Sequence, residues 1–231
     1  MKRKAIFLCV AISALLVTSV RAQHSSAILR AGLNLANVSV NDNGTVNDAK
    51  TLASFQLGII GDIELTPFFA IQPGLVLTGK GTKSQSGNEG DANWFKATTN
   101  PYYIEVPVNL ILKTNPGPVR FFGGVGPYLG IGVAGKNKTR GAVAGTSFSA
   151  ENDIKFSNDD PSTLNQEEGA GFGIMRRFDY GLNGTVGLEL AKAVVGLNYG
   201  LGLAKLQSGT NSGADNNNKH RVFSITLGVK L

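Results

Sequence analysis

"VFSITLGVKL" (residues 222–231) alternates without a break: Phe223, Ile225, Leu227, Val229 and Leu231 against Ser224, Thr226, Gly228 and Lys230. A period of two marks a β-strand with unlike faces. It runs to the last residue, where most domains turn loose and polar. Seven further segments share this pattern. The eight read as strands at about 28–38, 53–65, 69–80, 101–113, 119–134, 178–190, 193–206 and 220–231, with no helical apolar period after residue 22.

One face of these strands is apolar: Leu29, Leu33, Leu35; Phe55, Leu57, Ile59; Leu75, Leu77; Ile104, Val106, Val108, Leu110, Leu112; Phe121, Val125, Leu129, Ile131, Val133; Tyr180, Leu182, Val186; Leu197, Tyr199. The opposite face holds Arg30, Asp62, Glu64, Lys80, Glu105, Lys113, Arg120, Asp179, Glu189 and Lys230, five charges of each sign. Only Lys205, at the end of the seventh strand, breaks the parity.

A soluble barrel or sandwich would turn the apolar face inward, whereas a barrel in lipid turns it outward. Glycine favours the second arrangement. Gly32, Gly58, Gly74, Gly124, Gly126, Gly130, Gly132, Gly181, Gly187, Gly196, Gly200, Gly202 and Gly228 share the charged face. Glycine weakens a strand, but in the narrow interior of an eight-stranded barrel it leaves room for Tyr103, Phe122 and Tyr128.

The connections alternate in the same sense. Residues 66–68, 114–118 and 191–193 are tight turns; 39–52, 81–100, 135–177 and 207–219 are long and rich in Asn, Asp, Gly, Ser and Thr. Short turns at one end and long polar loops at the other fit an up-and-down barrel of the outer membrane.

The amino-terminal stretch agrees with export. Lys2, Arg3 and Lys4 precede an apolar run from Ala5 to Val17, and Val20-Arg21-Ala22 supplies small residues for cleavage, so residues 1–22 read as a signal peptide and 23–231 as the barrel domain. The apolar run is too short to span a bilayer as a helix. The cleaved chain keeps no cysteine, since Cys9 lies in the leader. It also loses four of its 22 basic residues and balances 18 against 16 acidic ones, a net +2 that argues against a nucleic-acid partner.

"LRAGLNLANV", "FAIQPGLVLTGKG", "YYIEVPVNLILK", "FFGGVGPYLGIGV" and "VFSITLGVKL" resemble, in order, strands of the PorT-like outer-membrane β-barrel family of Bacteroidota. Glu105-Val106-Pro107 and Gly126-Pro127-Tyr128 carry the resemblance most specifically. It implies an integral outer-membrane barrel and no particular reaction.

Motifs for chemistry are few. "GLVLTGKG" (74–81) approaches a phosphate-binding loop, but Gly81 stands where a hydroxyl is required and Leu75 to Thr78 read as strand. His220 and Ser224 share a face of the last strand about 13 Å apart, beyond the reach of a general base; His24 adjoins the cleavage site. The acidic stretch 151–168 (Glu151, Asp153, Asp159, Asp160, Glu167, Glu168) lacks calcium-loop spacing and reads as a solvated loop.

These features predict an eight-stranded antiparallel up-and-down transmembrane barrel, without cofactor, metal or catalytic residues. Both termini are expected in the periplasm and four loops outside, with the last strand pairing to the first. The lumen charges Arg30, Asp62, Glu64, Glu105, Lys113, Arg120, Glu189 and Lys230 are expected to cluster and plug it, mainly at the periplasmic half. Expected partners are outer-membrane lipid and lipopolysaccharide, the barrel assembly machinery, and a protein bound through the outer loops. Three roles remain open: a structural or surface-interaction barrel, a subunit of an envelope export machine, and a small lipid-modifying enzyme.

Overall fold

Alternating side chains and short turns give, in the computed structural model, thirteen strands among the described residues, which are 25–39, 49–156, 174–204 and 219–231. They are β1 (Ser25–Ser39), β2 (Ala49–Lys50), β3 (Leu52–Thr66), β4 (Phe69–Gly79), β5 (Thr82–Ser86), β6 (Trp94–Lys113) and β7 (Val119–Val143). The rest are β8 (Thr146–Asp153), β9 (Lys155–Phe156), β10 (Ile174–Met175), β11 (Phe178–Leu190), β12 (Ala193–Gly202) and β13 (Lys219–Lys230). The expected leader, His24, Lys205 and the acidic residues 159, 160, 167 and 168 lie outside the described residues.

Eight of the strands close a ring in the order β1-β3-β4-β6-β7-β11-β12-β13. Every ring neighbour is antiparallel, and β13 returns to β1 from Ile28↔Lys230 to Ser39↔Lys219. The final strand is thus paired on both edges, to β1 and β12. Closure leaves no ladder edge unpaired, which a bilayer requires.

The apolar face points outward. Among the described residues 35 large apolar side chains are exposed, Leu33 by 69% and Leu129 by 68%. Full burial of such a side chain is worth about 1.5–3 kcal/mol, so this belt would forgo tens of kcal/mol in water. A domain's net stability is only about 5–15 kcal/mol, so lipid is the consistent surrounding. Aromatic rings edge the belt: Phe68 and Phe121 towards the short turns, and Tyr102, its ring tilted against Phe55 at 5.4 Å between centroids, with Tyr180 towards the long loops.

Three expected loops differ from the sequence reading, and residues 39–52 contain β2. Residues 81–100 contain β5 and the first third of β6, and residues 135–177 contain the end of β7 with β8, β9 and β10. Beyond the ring, β7 exchanges β11 for β8, and β2-β5-β6-β7-β8 form a sheet that rises past the belt. Such strands need no lipid face, so their sequence lacks the apolar alternation. A turn with Ala144 at φ 48° and Gly145 at φ 79° joins β7 to β8, a left-handed pair suited to tight hairpins.

A bulge marks the boundary between belt and sheet. Tyr102 faces Ala134 while Tyr103 faces Gly132, so β7 carries one extra residue there. On the belt side the even-numbered Arg120 and Tyr128 are buried inside; past the bulge the even-numbered Lys136, Lys138 and Arg140 are exposed outside.

Candidate functional site

The inward side chains form three layers. Nearest the short turns, three cations meet three carboxylates. Lys113 Nζ lies 2.6 Å from Asp62, 2.8 Å from Glu64 and 3.0 Å from Glu189. Arg120 pairs with Glu64 at 2.7 Å, approaches Glu189 at 3.7 Å, and donates to the carbonyls of Pro67 and Thr114. Lys230 of the last strand also pairs with Glu189, and Gln72 donates to Asp62 at 3.0 Å. Asp62, Glu64 and Glu189 converge within 4.8 Å, as metal ligands would, but the ammonium of Lys113 is what they hold.

An aliphatic layer follows. Ile28, Ile60, Val76 and Val194 are buried together with Phe122 packed against them. A side chain at Gly187 would drive its Cβ into the Val195 carbonyl and put it 2.6 Å from the Phe122 ring, so glycine there both keeps the neighbouring strand close and admits the aromatic. The sequence reading placed Phe122 inside but missed Ile28, Ile60, Val76 and Val194, because each stands alone among charges and glycines. Beside this layer Asn34 donates to Thr78 (2.8 Å) and to the carbonyls of Gly79 and Phe55, and accepts from Gln56 at 3.0 Å.

Towards the long loops a second charged group forms. Lys80 pairs with Glu105 and, at 2.7 Å, with Asp179, while its ammonium sits 4.0 Å from the Tyr128 ring centroid. The Tyr128 hydroxyl donates to Asp179 at 3.2 Å. His220 packs edge-on to Tyr103 at 5.5 Å, and neither of its ring nitrogens has a hydrogen-bond partner, so it does not serve Ser224. Phe156 closes over this group, edge-on to Tyr103 at 5.7 Å and joined by Ile154 and Met175.

Six of the eight predicted lumen residues therefore meet in one cluster: Asp62, Glu64, Lys113, Arg120, Glu189 and Lys230. Glu105 does not join them. It stands eight residues from Lys113 on β6, where register places it against Gly130, itself opposite Asp179. Arg30 joins neither cluster by an ion pair; its Nε is buried without a hydrogen-bond partner. Lys80 and Asp179 share the charged parity, yet strand alternation gives the face and not the depth at which charges meet.

Beyond the belt, Glu151 of β8 accepts from Lys136 at 2.7 Å and lies 3.0 Å from Lys138. The hydrogen bond from Lys136 holds the Glu151 carboxyl below its ordinary range, and in return raises the Lys136 ammonium.

The family model for the outer membrane protein beta-barrel domain matches residues 22–208. Solved structures similar to this chain include Ail of Yersinia pestis, crystallised with the heparin analogue sucrose octasulfate, at 13% identity and TM-score 0.43, covering 90% of this chain and 99% of that one. OprG of Pseudomonas aeruginosa is 15% identical, TM-score 0.39, over 90% and 96%. Neisserial surface protein A is 12% identical, TM-score 0.38, over 90% and 99%. No curated protein matches the chain.

Proposed function

We propose, for a chain that belongs to the outer membrane protein beta-barrel domain family, a barrel that does not conduct and acts through the sheet and loops it raises at one end. Membership makes it an outer-membrane β-barrel; the closed lumen and the surface role are the proposal. The filling of the interior carries it. Two ion-paired clusters and an aliphatic layer occupy the lumen of an eight-stranded ring, which encloses only enough space for side chains. The end with the long loops is taken to face outward, as in other barrels of this kind.

Planar-bilayer recording tests this. The wild type should show no stable large conductance, whereas Arg30→Ser with Arg120→Ser should admit small ions. Conductance at porin level in the wild type would make a channel the leading function.

The second reading is an export-machine subunit of the PorT-like kind. Its support is that Pro107 and Tyr128, from the two most specific resembling motifs, pair across β6 and β7. Cross-linking in native membranes to a defined envelope export protein, at fixed stoichiometry, is the result it requires.

A further inference from the structure

We infer that the outward face of β6 and β7 just past the apolar belt binds the phosphate groups of the outer-leaflet glycolipid, through Lys96, Lys136, Lys138 and Arg140. This rests on the outer-membrane reading above, with the long loops outside.

The bulge after Val133 is the first support. Without it, the parity that turns Arg120 and Tyr128 into the lumen would carry Lys136, Lys138 and Arg140 inward too. With it, all three emerge on the side that lipid faces lower down. The ladder then aligns neighbours. Lys96 stands opposite Arg140, and Thr98 lies between Lys138 and Lys83. Strands in one register place these side chains on one surface.

Depth is the second support. Tyr102, in the belt's aromatic edge, pairs with Ala134; Lys136 and Lys138 stand two and four residues further on β7. Those offsets are about 7 and 13 Å along the strand, hence roughly 5 and 9 Å in height at a tilt near 45°. The headgroup layer is about 5–8 Å thick on each side of the hydrocarbon. Lys136 therefore comes level with lipid phosphates, Lys138 stands at the upper edge of that layer within reach of its flexible stem, and Arg140 stands just above.

Donor capacity is the third. Five cations (Lys83, Lys96, Lys136, Lys138, Arg140) share this surface with the carboxylates Glu89, Glu151 and Asp153. Lys96 approaches Glu89 at 3.5 Å, and Asp153 is the register partner of Lys136. Glu151 engages one donor from each of two lysines, and each ammonium has three. Among the described residues Arg140 and Lys83 have no ion pair, and a guanidinium grips phosphate through paired donors. The lysine side chains are 60% and 50% exposed, so the face is open to a ligand.

The test uses the full chain folded in detergent, with heat-modifiable gel migration confirming the barrel in every sample. Native mass spectrometry measures retention of diphosphorylated lipid A against the same lipid with its phosphates removed. The wild type should prefer the phosphorylated form by on the order of tenfold or more. Lys136→Gln/Lys138→Gln/Arg140→Gln should abolish the preference, Lys192→Gln in a short turn should leave it, and Glu151→Gln should increase it. The proposal is overturned if the wild type retains both lipids equally or the triple variant keeps the preference. Loss of preference in EDTA would overturn it in favour of metal-bridged carboxylates. Equal competition by free inositol hexaphosphate would make the face a general anion site and overturn the lipid assignment. A barrel that fails to show heat-modifiable migration would instead count against the outer-membrane reading beneath it.

Discussion

Lys80 and Asp179 lie 99 residues apart in sequence and meet across the lumen at 2.7 Å, with Glu105 on the other side of the same ammonium. The three groups come from the residue that follows β4 and from β6 and β11, so one lysine ties three parts of the wall together. Removing one partner of a buried pair costs about 3–5 kcal/mol, because its opposite charge is left without compensation. Lys80→Met should lower the unfolding free energy by about that amount in a urea titration followed by gel mobility. Lys80→Met with Glu105→Gln and Asp179→Asn should recover most of the loss. A single variant as stable as the wild type would mean that the contact contributes nothing.

Depth along β7 separates two identical side chains. Val125 and Val143 are 65% and 63% exposed on the same strand, but Val125 lies in the apolar belt and Val143 at the far hairpin. For a soluble barrel, arginine at either site would be equally harmless. In a bilayer Val125→Arg should cost about 2–4 kcal/mol, whereas Val143→Arg should stay within about 0.5 kcal/mol. Refolding yields into lipid vesicles make the comparison, and equal yields would argue against a lipid-facing belt.

The ring and its inside-out polarity were legible because lipid and lumen impose opposite demands on successive residues. That requirement ends with the belt, and legibility ends with it. Lys136, Lys138 and Arg140 alternate as regularly as Leu129, Ile131 and Val133, but they alternate with Asn137, Thr139 and Gly141, so no apolar face announces a strand. The bulge at Val133 has no sequence mark either, and it reverses the side on which the cations emerge. Within the lumen the charged face was readable residue by residue. The division of its members between Lys113 and Lys80 was not, since it depends on strand stagger.

Gly132 governs how Phe156 seats in the mouth of the barrel. The three atoms nearest a Cβ at Gly132 all belong to the Phe156 ring, so the tightest collision is with a movable side chain and not with backbone. Gly132→Ala should leave the ring intact and displace Phe156, and with it the neighbouring Lys155. Trypsin cleavage at Lys155 should then speed up several-fold, while the heat-modifiable shift persists. In the Gly132→Ala background, Phe156→Ala should relieve the crowding and return the barrel's unfolding midpoint to that of Phe156→Ala alone. An unchanged cleavage rate in Gly132→Ala would show that Phe156 is not held there.

Lys113 offers a test that separates charge from packing. Its ammonium holds Asp62, Glu64 and Glu189, whose oxygens lie within 4.8 Å of one another. Lys113→Ala removes the cation and leaves three hard oxygen ligands converging on a vacated space, an arrangement suited to calcium. The variant should be less stable than the wild type by about 3–5 kcal/mol in chelator. Calcium should then restore part of the loss in a saturable way, roughly 1.4 kcal/mol when its concentration is ten times the dissociation constant. The wild type should not respond, because Lys113 already occupies the site. Lys113→Ala with Glu189→Gln should lose the calcium response, since one ligand of the three is gone. If calcium stabilises wild type and variant alike, the effect arises elsewhere on the barrel and the convergence of the three carboxylates on Lys113 is not what organises this end.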